Sequence, residues 1–201
     1  MSLASLAGFV DAVGFRTLGG FFVSFMSGNS TRLAVNISQQ EWSLSGLIPL
    51  GIIVLFTAGV MIGTLIRHKA NKRKEAGVLT FVSTSLIVSA ALGAFQQDFI
   101  AVIFMVLAMG ASNNVFVREG EVSIGVTYMT GTLVKLGQRL AGHFMAGPKK
   151  PWLPYLALWA GLVLGAVMGS IGYSLFSLYC LWIAAGFSVA LTFLACAFSS
   201  T

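Results

Sequence analysis

The chain is expected to fold as an all-α integral membrane protein. Six transmembrane helices and two half-helix or re-entrant segments are predicted, arranged as two inverted-topology repeats. Three observations predict this. Hydrophobic residues make up 57% of the 201 positions and charged residues only 9%, whereas a soluble domain carries about 25% charged residues. The apolar runs are about 20 residues long, the length a bilayer-spanning helix needs, and they lack the alternation of a membrane barrel. Finally, the chain repeats itself. Val23-Ser24-Phe25-Met26-Ser27-Gly28 matches Val126-Thr127-Tyr128-Met129-Thr130-Gly131 at an offset of 103 residues. An internal repeat of this kind governs the whole architecture.

The repeat extends beyond the motif. At the same offset Asp11 meets Asn114, Arg32 meets Lys135 and Leu33 meets Leu136. At an offset of 102, Ala58-Gly59-Val60-Met61-Ile62-Gly63 meets Ala160-Gly161-Leu162-Val163-Leu164-Gly165. One membrane domain, residues 1–201, is expected to divide into repeat one, 1–97, and repeat two, 98–201.

The spans follow in order. The first covers 3–22 and contains Asp11 and Arg16. It has no basic leader, so it reads as a membrane helix rather than a signal peptide, with the mature chain starting near Met1. The second covers 44–66 and ends on the basic run Arg67-His68-Lys69-Ala70-Asn71-Lys72-Arg73-Lys74, which cannot enter lipid. The third and fourth cover 78–95 and 99–117. The fifth covers 152–175, after Pro148-Lys149-Lys150-Pro151, and the sixth covers 178–198. Residues 22–38 and 122–142 are semi-polar, and each holds one copy of the motif. Irregular backbone at membrane depth is tolerated only inside protein or beside a wet cavity, so both are expected to be half-helices.

The net charge of +6 and pI of 9.7 do not indicate nucleic acid, because the cations cluster at the ends of apolar segments, as the positive-inside rule requires. Six spans put Arg67, Lys69, Lys72, Arg73, Lys74, Arg118, Lys135, Arg139, Lys149 and Lys150 on the cytoplasmic side with both termini. Arg16 and Arg32 remain outside. Three spans per copy is an odd number, so the second copy enters upside down. Inverted repeats with broken helices characterise secondary transporters, whose sites lie at the repeat interface.

Candidate site residues follow from these segments. Asp11 interrupts an apolar run, and an ionisable residue there needs a partner or a cavity. Either it forms a structural bond, to Arg16 or Arg32, or it binds a proton, cation or solute. Asn113 and Asn114 offer the neutral counterpart, and interhelical hydrogen bonding explains them equally well. Ser27, Asn29, Thr130 and Thr132 suit N-caps, beside Gly28 and Gly131. A helix N-terminus aimed at the midplane suits an anion, although the same groups can simply cap and pack. Arg32 and Lys135 either line an anion path or snorkel to the interface. Gly59, Gly63, Gly161, Gly165 and Gly169 form small-residue ridges that pack the repeats or a homodimer.

Other signals are weak. Cys180 and Cys196 on one helix would lie about 24 Å apart at 1.5 Å per residue and read as small buried hydrophobes. Asn29-Ser30-Thr31 and Asn36-Ile37-Ser38 match a glycosylation sequon that matters only in a secretory pathway. His68 and His143 lack ligand neighbours, so no metal is expected. Hydrolase, P-loop and dinucleotide motifs are missing, so neither an enzyme nor a cofactor is expected.

The combination Gly8-Phe9-Val10-Asp11-Ala12, Leu18-Gly19, Met26-Ser27-Gly28-Asn29, Asn113-Asn114 and Met129-Thr130-Gly131-Thr132-Leu133 resembles the YoaK-like bacterial inner-membrane proteins, a family of unknown function. Ser27 stands where that pattern has Thr, which keeps the hydroxyl. Arg16 stands where an apolar residue is expected. The resemblance implies a bacterial inner-membrane location. With the repeats, it leads to a small secondary transporter or permease for a small solute or ion. The alternative is a non-transporting scaffold or complex subunit.

Single cysteines at Gln40, Asn71 and Gly147, in a cysteine-free background, test the topology. A membrane-impermeant thiol reagent added to intact cells should label Gln40 alone. Strong labelling at Gly147 would favour eight spans.

Overall fold

The computed structural model describes residues 1–41, 43–70, 73–118, 121–122, 127–144 and 151–198, with backbone alone at 117–118, 121–122, 143–144 and 198. Trp42, Asn71, Lys72, Val126, Gly147, Pro148, Lys149 and Lys150 lie outside the described residues. The fold is helical: α1 (Ser2–Thr17), α2 (Met26–Ser38), α3 (Ile48–Lys69), α4 (Lys74–Ala94), α5 (Asp98–Ser112), α6 (Met129–Phe144), α7 (Leu153–Phe176) and α8 (Leu181–Phe198). A short antiparallel ladder, β1 (Val117–Arg118) with β2 (Glu121–Val122), lies between α5 and α6.

Three described stretches are long and apolar enough to cross a bilayer: Ile48–Lys69, Lys74–Ala94 and Leu153–Ala197. The last is two helices. It breaks at Ser177, whose φ of 49° suits no continuing helix, and a 3-10 turn over Ser177–Cys180 leads into α8. Pro49 and Pro154 open α3 and α7 in the first turn, where no N–H is required.

The first and fourth spans are shorter than predicted. α1 ends at Thr17 rather than 22, and α5 at Ser112 rather than 117. At 1.5 Å per residue they reach only about 24 and 22 Å, short of a hydrocarbon core of about 30 Å. The cause in α1 is local. Gly19 and Gly20 take φ of 64° and 110°, and the Gly20 N–H bonds back to the Phe15 carbonyl at 2.8 Å. This glycine cap ends the helix although Leu18, Phe21, Phe22 and Val23 continue the apolar run.

Packing fixes the relative directions. Gly59 faces Leu107 and Gly63 faces Ala111, so α3 and α5 run parallel. Gly165 faces Ser5 and Gly169 faces Phe9, so α1 and α7 run parallel. Ser83 Oγ and Ser188 Oγ are 2.6 Å apart, while Gly93 meets Leu178. α8 is therefore antiparallel to α4. With the hairpins α3–α4, α4–α5 and α7–α8, helices α1, α4 and α7 run one way, and α3, α5 and α8 the other.

The two parallel seams are built alike. A Cβ at Gly8 would overlap the Leu162 carbonyl, and one at Gly110 the Phe56 carbonyl. Gly165 presses on the Ser5 carbonyl as Gly59 does on that of Leu107, and Gly169 on Phe9 as Gly63 does on Ala111. These contacts superpose α1 on α5 at an offset of 102 and α3 on α7 at 106. The match of Gly59 with Gly161 read from the sequence is thus one helical turn out of contact register. The ridges are occupied inside the chain, each against a helix of the opposite half, so a homodimer would need another surface.

Direct backbone contact leaves no room for a side chain, and overpacking costs about 1–3 kcal/mol per site. Gly59→Val and Gly165→Val should each lower the melting temperature of the detergent-purified protein and broaden its size-exclusion peak. Gly51→Ala and Gly186→Ala, where nothing lies within 4 Å of the added carbon, should melt close to wild type. Equal melting of both pairs would refute the seams.

Candidate functional site

The site grows from the segment after α1. Beyond the glycine cap the chain turns back along the helix it has just left. Val23 is fully buried and occupies the space that a side chain at Gly14 would fill. The exposed N–H groups of this irregular stretch need acceptors inside the bundle. Asp11 supplies one oxygen: its Oδ1 accepts from the Val23 N–H at 2.9 Å and the Ser24 N–H at 2.8 Å. Asn29, with no exposed surface, pairs with Phe22 in both directions. Its Oδ1 accepts from the Phe22 N–H at 3.1 Å, and its Nδ2 donates to the Phe22 carbonyl at 2.6 Å.

The second half builds the corresponding turn with an amide. Asn113 Oδ1 accepts from the Thr127 N–H at 3.4 Å and the Thr127 hydroxyl at 3.1 Å, and α6 starts two residues later. Ser24 and Thr127 are repeat mates, so the partner of Asp11 in structure is Asn113, one residue from the Asn114 that alignment gives. Asn114 is tied to α3 instead: its Nδ2 donates to the Val60 carbonyl at 3.0 Å and its Oδ1 accepts from Thr64 Oγ1 at 2.9 Å. The ungapped alignment is also too simple here. Eight residues, 18–25, connect α1 to α2, whereas sixteen, 113–128, connect α5 to α6 and carry the ladder.

The two motifs meet at a cavity of about 340 Å³ lined by Ser24, Phe25, Met26, Ser27, Phe56, Thr127, Tyr128, Met129 and Thr130. Apart from Phe56 of α3, the lining is four pairs of repeat mates. Gly28 and Gly131 stand behind it: a Cβ at Gly28 would strike the Phe25 ring, and one at Gly131 the Tyr128 ring. Each glycine therefore makes room for the aromatic ring three residues before it. α2 starts without a side-chain cap, so its first-turn N–H groups remain available. Two helix N-termini, three aromatic rings and the hydroxyls of Ser24, Ser27, Thr127, Thr130 and Tyr128 thus border one space, suited to a small solute bearing a hydrogen-bond acceptor.

The predicted residues divide. Ser27 and Thr130 line the cavity, and Gly28 and Gly131 shape it. Ser27 does not cap α2, because the N-cap is Phe25. Asn29 lies inside the helix and holds Phe22. Thr132 is buried and bonds the Tyr128 carbonyl at 3.2 Å. Asp11, Asn113 and Asn114 stand outside the cavity wall. Arg32 lies over the Phe21 ring at 5.2 Å, and Lys135 is exposed; neither is part of the lining. No ion pair joins Asp11 to a described residue: Arg16 donates to Ser170 Oγ at 3.4 Å and lies over Tyr173 at 5.3 Å. Of the lining, Ser24, Phe25, Met26, Phe56, Thr127, Tyr128 and Met129 were missed. The paired Phe25/Tyr128 three residues before each glycine was the available signal, whereas Phe56 gives none.

The Asn29 bonds give a direct test. Asn29→Ala leaves the half-buried Phe22 N–H and carbonyl without their partner, each costing up to about 1–3 kcal/mol. The purified variant should melt well below wild type. Thr31→Ala, which removes an exposed hydroxyl bonded to the Ser27 carbonyl at 3.1 Å, should not. An Asn29→Ala protein as stable as wild type would show that Asn29 does not hold the turn.

Comparison with known proteins places this architecture. Residues 1–194 match the family model described as Protein of unknown function (DUF1275). The chain is 34% identical over 175 residues to UPF0700 transmembrane protein RA0705 of Rhizobium meliloti, an alignment covering 85% of this chain and 72% of that protein. It is 29% identical over 177 residues to UPF0700 transmembrane protein YoaK of Bacillus subtilis, covering 84% of this chain and 78% of the relative. No solved structure matches. The match takes in every helix up to α8, and the relatives are named as transmembrane proteins. The chain is therefore an integral membrane protein and belongs to the DUF1275 family.

Proposed function

We propose that this protein is a small secondary transporter or permease of the bacterial inner membrane, with both termini cytoplasmic, that moves a small solute or ion through the cavity between its two Met-Ser/Thr-Gly turns. One observation carries the reading: matched residues of the two motifs line a single space. A pair of half-helices meeting between inverted repeats is the arrangement in which transporters hold their substrates.

Six spanning helices in two inverted repeats, 1–97 and 98–201, fit the helix directions. Each of α1, α3 and α4 runs opposite to its mate α5, α7 or α8. A half-turn about an axis in the membrane plane relates such copies, and the Ser83–Ser188 bond joins the antiparallel α4 and α8, one from each half. Alternating access then differs from a rocking of one repeat on the other. The backbone-to-backbone glycine seams join α1 to α7 and α3 to α5, across the repeats, so these parallel pairs are the natural moving bodies.

The scaffold reading is supported by a different observation. Every buried side-chain nitrogen and oxygen among the described residues has a partner, and much of the cavity wall is aromatic or Met. Access separates the two readings. In a cysteine-free background in open membranes, Ser27→Cys and Thr130→Cys should react with a water-soluble thiol reagent. In reconstituted vesicles, a solute-uptake screen should give a signal that Thr130→Trp, which plugs the cavity, abolishes. If neither cysteine reacts while Gln40→Cys does, the space is dry and the scaffold reading takes over.

A further inference from the structure

The cavity has a second compartment behind its wall. Asp11 lines a cleft of about 420 Å³ between α1 and α7, together with Phe15, Arg16, Phe22 and Ser170. Residues 22–25 form the partition: Phe22 belongs to the cleft, while Ser24 and Phe25 belong to the motif cavity. Two connections cross it. Asp11 Oδ1 holds the Ser24 N–H at 2.8 Å. Phe15 meets Phe22 in a tilted contact with centroids 4.9 Å apart, and Phe22 meets Phe25 edge-on at 5.2 Å.

We propose that Asp11 is a proton-binding site that sets the shape of the motif cavity, a proposal that rests on the transport reading and supplies its coupling ion. The carboxylate grips the partition through charge-assisted bonds, roughly twice as strong as neutral ones. A proton arriving from water through the cleft turns the carboxylate into a neutral acid. Both bonds to Val23 and Ser24 then weaken, and the partition, with Phe25, is released toward the cavity. The second half cannot respond in this way, because Asn113 makes the corresponding bond to Thr127 and does not titrate. The proton therefore acts on one wall of a two-walled site.

A proton fits better than a metal cation. Oδ1 is already occupied by two N–H donors, which leaves one carboxylate oxygen, enough for a proton and too few for a metal cation; the Arg16 guanidinium in the same cleft opposes either positive charge. The other titratable or charged groups around α1 are Tyr173 on α7, Cys180 in the turn before α8, Arg32 on α2 beside Gly20 and Asp98 at the start of α5. Arg16 and Arg32 stay charged throughout.

The test needs no known substrate. An environment-sensitive fluorophore is attached to Ser27→Cys in protein lacking Cys180 and Cys196, and emission is followed from pH 4 to 9. Emission should change with a single midpoint. The change should be lost in Asp11→Asn, which keeps an oxygen acceptor as Asn113 does, and kept in Tyr173→Phe and Asp98→Asn. The same label at Ser43→Cys, away from the cavity, should show no such midpoint. Should Asp11→Asn misfold, Asp11→Glu keeps the carboxyl and should displace the midpoint. A transition that survives in Asp11→Asn, or an undisplaced midpoint in Asp11→Glu, overturns the proposal. So does a response to sodium in place of choline at fixed pH. Quenching by aqueous iodide of the label at Ser27→Cys, and of the same label at Thr130→Cys, reads the cavity separately. Quenching without a pH response refutes the proton site and leaves the transport reading standing, whereas no quenching refutes the transport reading itself.

Discussion

A polypeptide that leaves helical geometry inside a membrane must find acceptors and donors for its backbone within the protein, because lipid offers none. Much of this structure follows from that requirement. Gly19 and Gly20 end α1 early and send residues 21–25 back along it. Asp11 then answers two N–H groups, and Asn29 answers both polar groups of Phe22. In the other half Asn113 answers Thr127. Without these side chains the returning segments would carry unsatisfied groups and the chain would favour continuous helices. With them, the first turns of α2 and α6 line one partly open cavity that neither half could form alone.

The glycine seams solve the complementary problem of holding the rest together. Between helices in lipid there is little hydrophobic gain from association, so close van der Waals contact must supply it. Gly8, Gly59, Gly63, Gly110, Gly165 and Gly169 bring backbone against backbone in two parallel pairs, α1 with α7 and α3 with α5. Each pair takes one helix from either half. The halves are thus interlocked. The antiparallel α4–α8 contact is different in kind, held by the hydroxyls of Ser83, Ser188 and Thr192 at 2.6 and 2.9 Å.

The helical, membrane-embedded class was legible because composition and run length depend on no tertiary detail. The two short polar helices were legible too: Met26 and Met129 open α2 and α6 at the offset of the motif, since like local sequence makes like local structure. Span ends were misjudged because Leu18, Phe21, Phe22 and Val23 are apolar whether helical or not, and the Gly19-Gly20 stop was outweighed by hydropathy. The register of the seams was hidden for another reason. Glycines recur every fourth residue in 161–169, so a slip of one turn leaves the sequence pattern unchanged while altering every contact. Asn113 was passed over for Asn114 because the motif's offset of 103 was carried back into the helix, whereas the contacts superpose α1 on α5 at 102, one residue less. Phe56 could not be read at all, as one phenylalanine among sixteen in an apolar chain.

The difference between Asp11 and Asn113 is where the halves stop being interchangeable. Both residues perform the same structural task, accepting an N–H from the segment that precedes a half-helix. Asn113 shows that a neutral amide is sufficient for it. A carboxylate in the same role costs more to desolvate than an amide, and here no described ion pair offsets it, because Arg16 is turned to Ser170 and Tyr173. Structure alone therefore does not explain the acid at position 11. What an acid provides and an amide cannot is two protonation states of nearly the same shape, with different strengths of grip on Val23 and Ser24. The first half has that choice, and the second has a fixed wall.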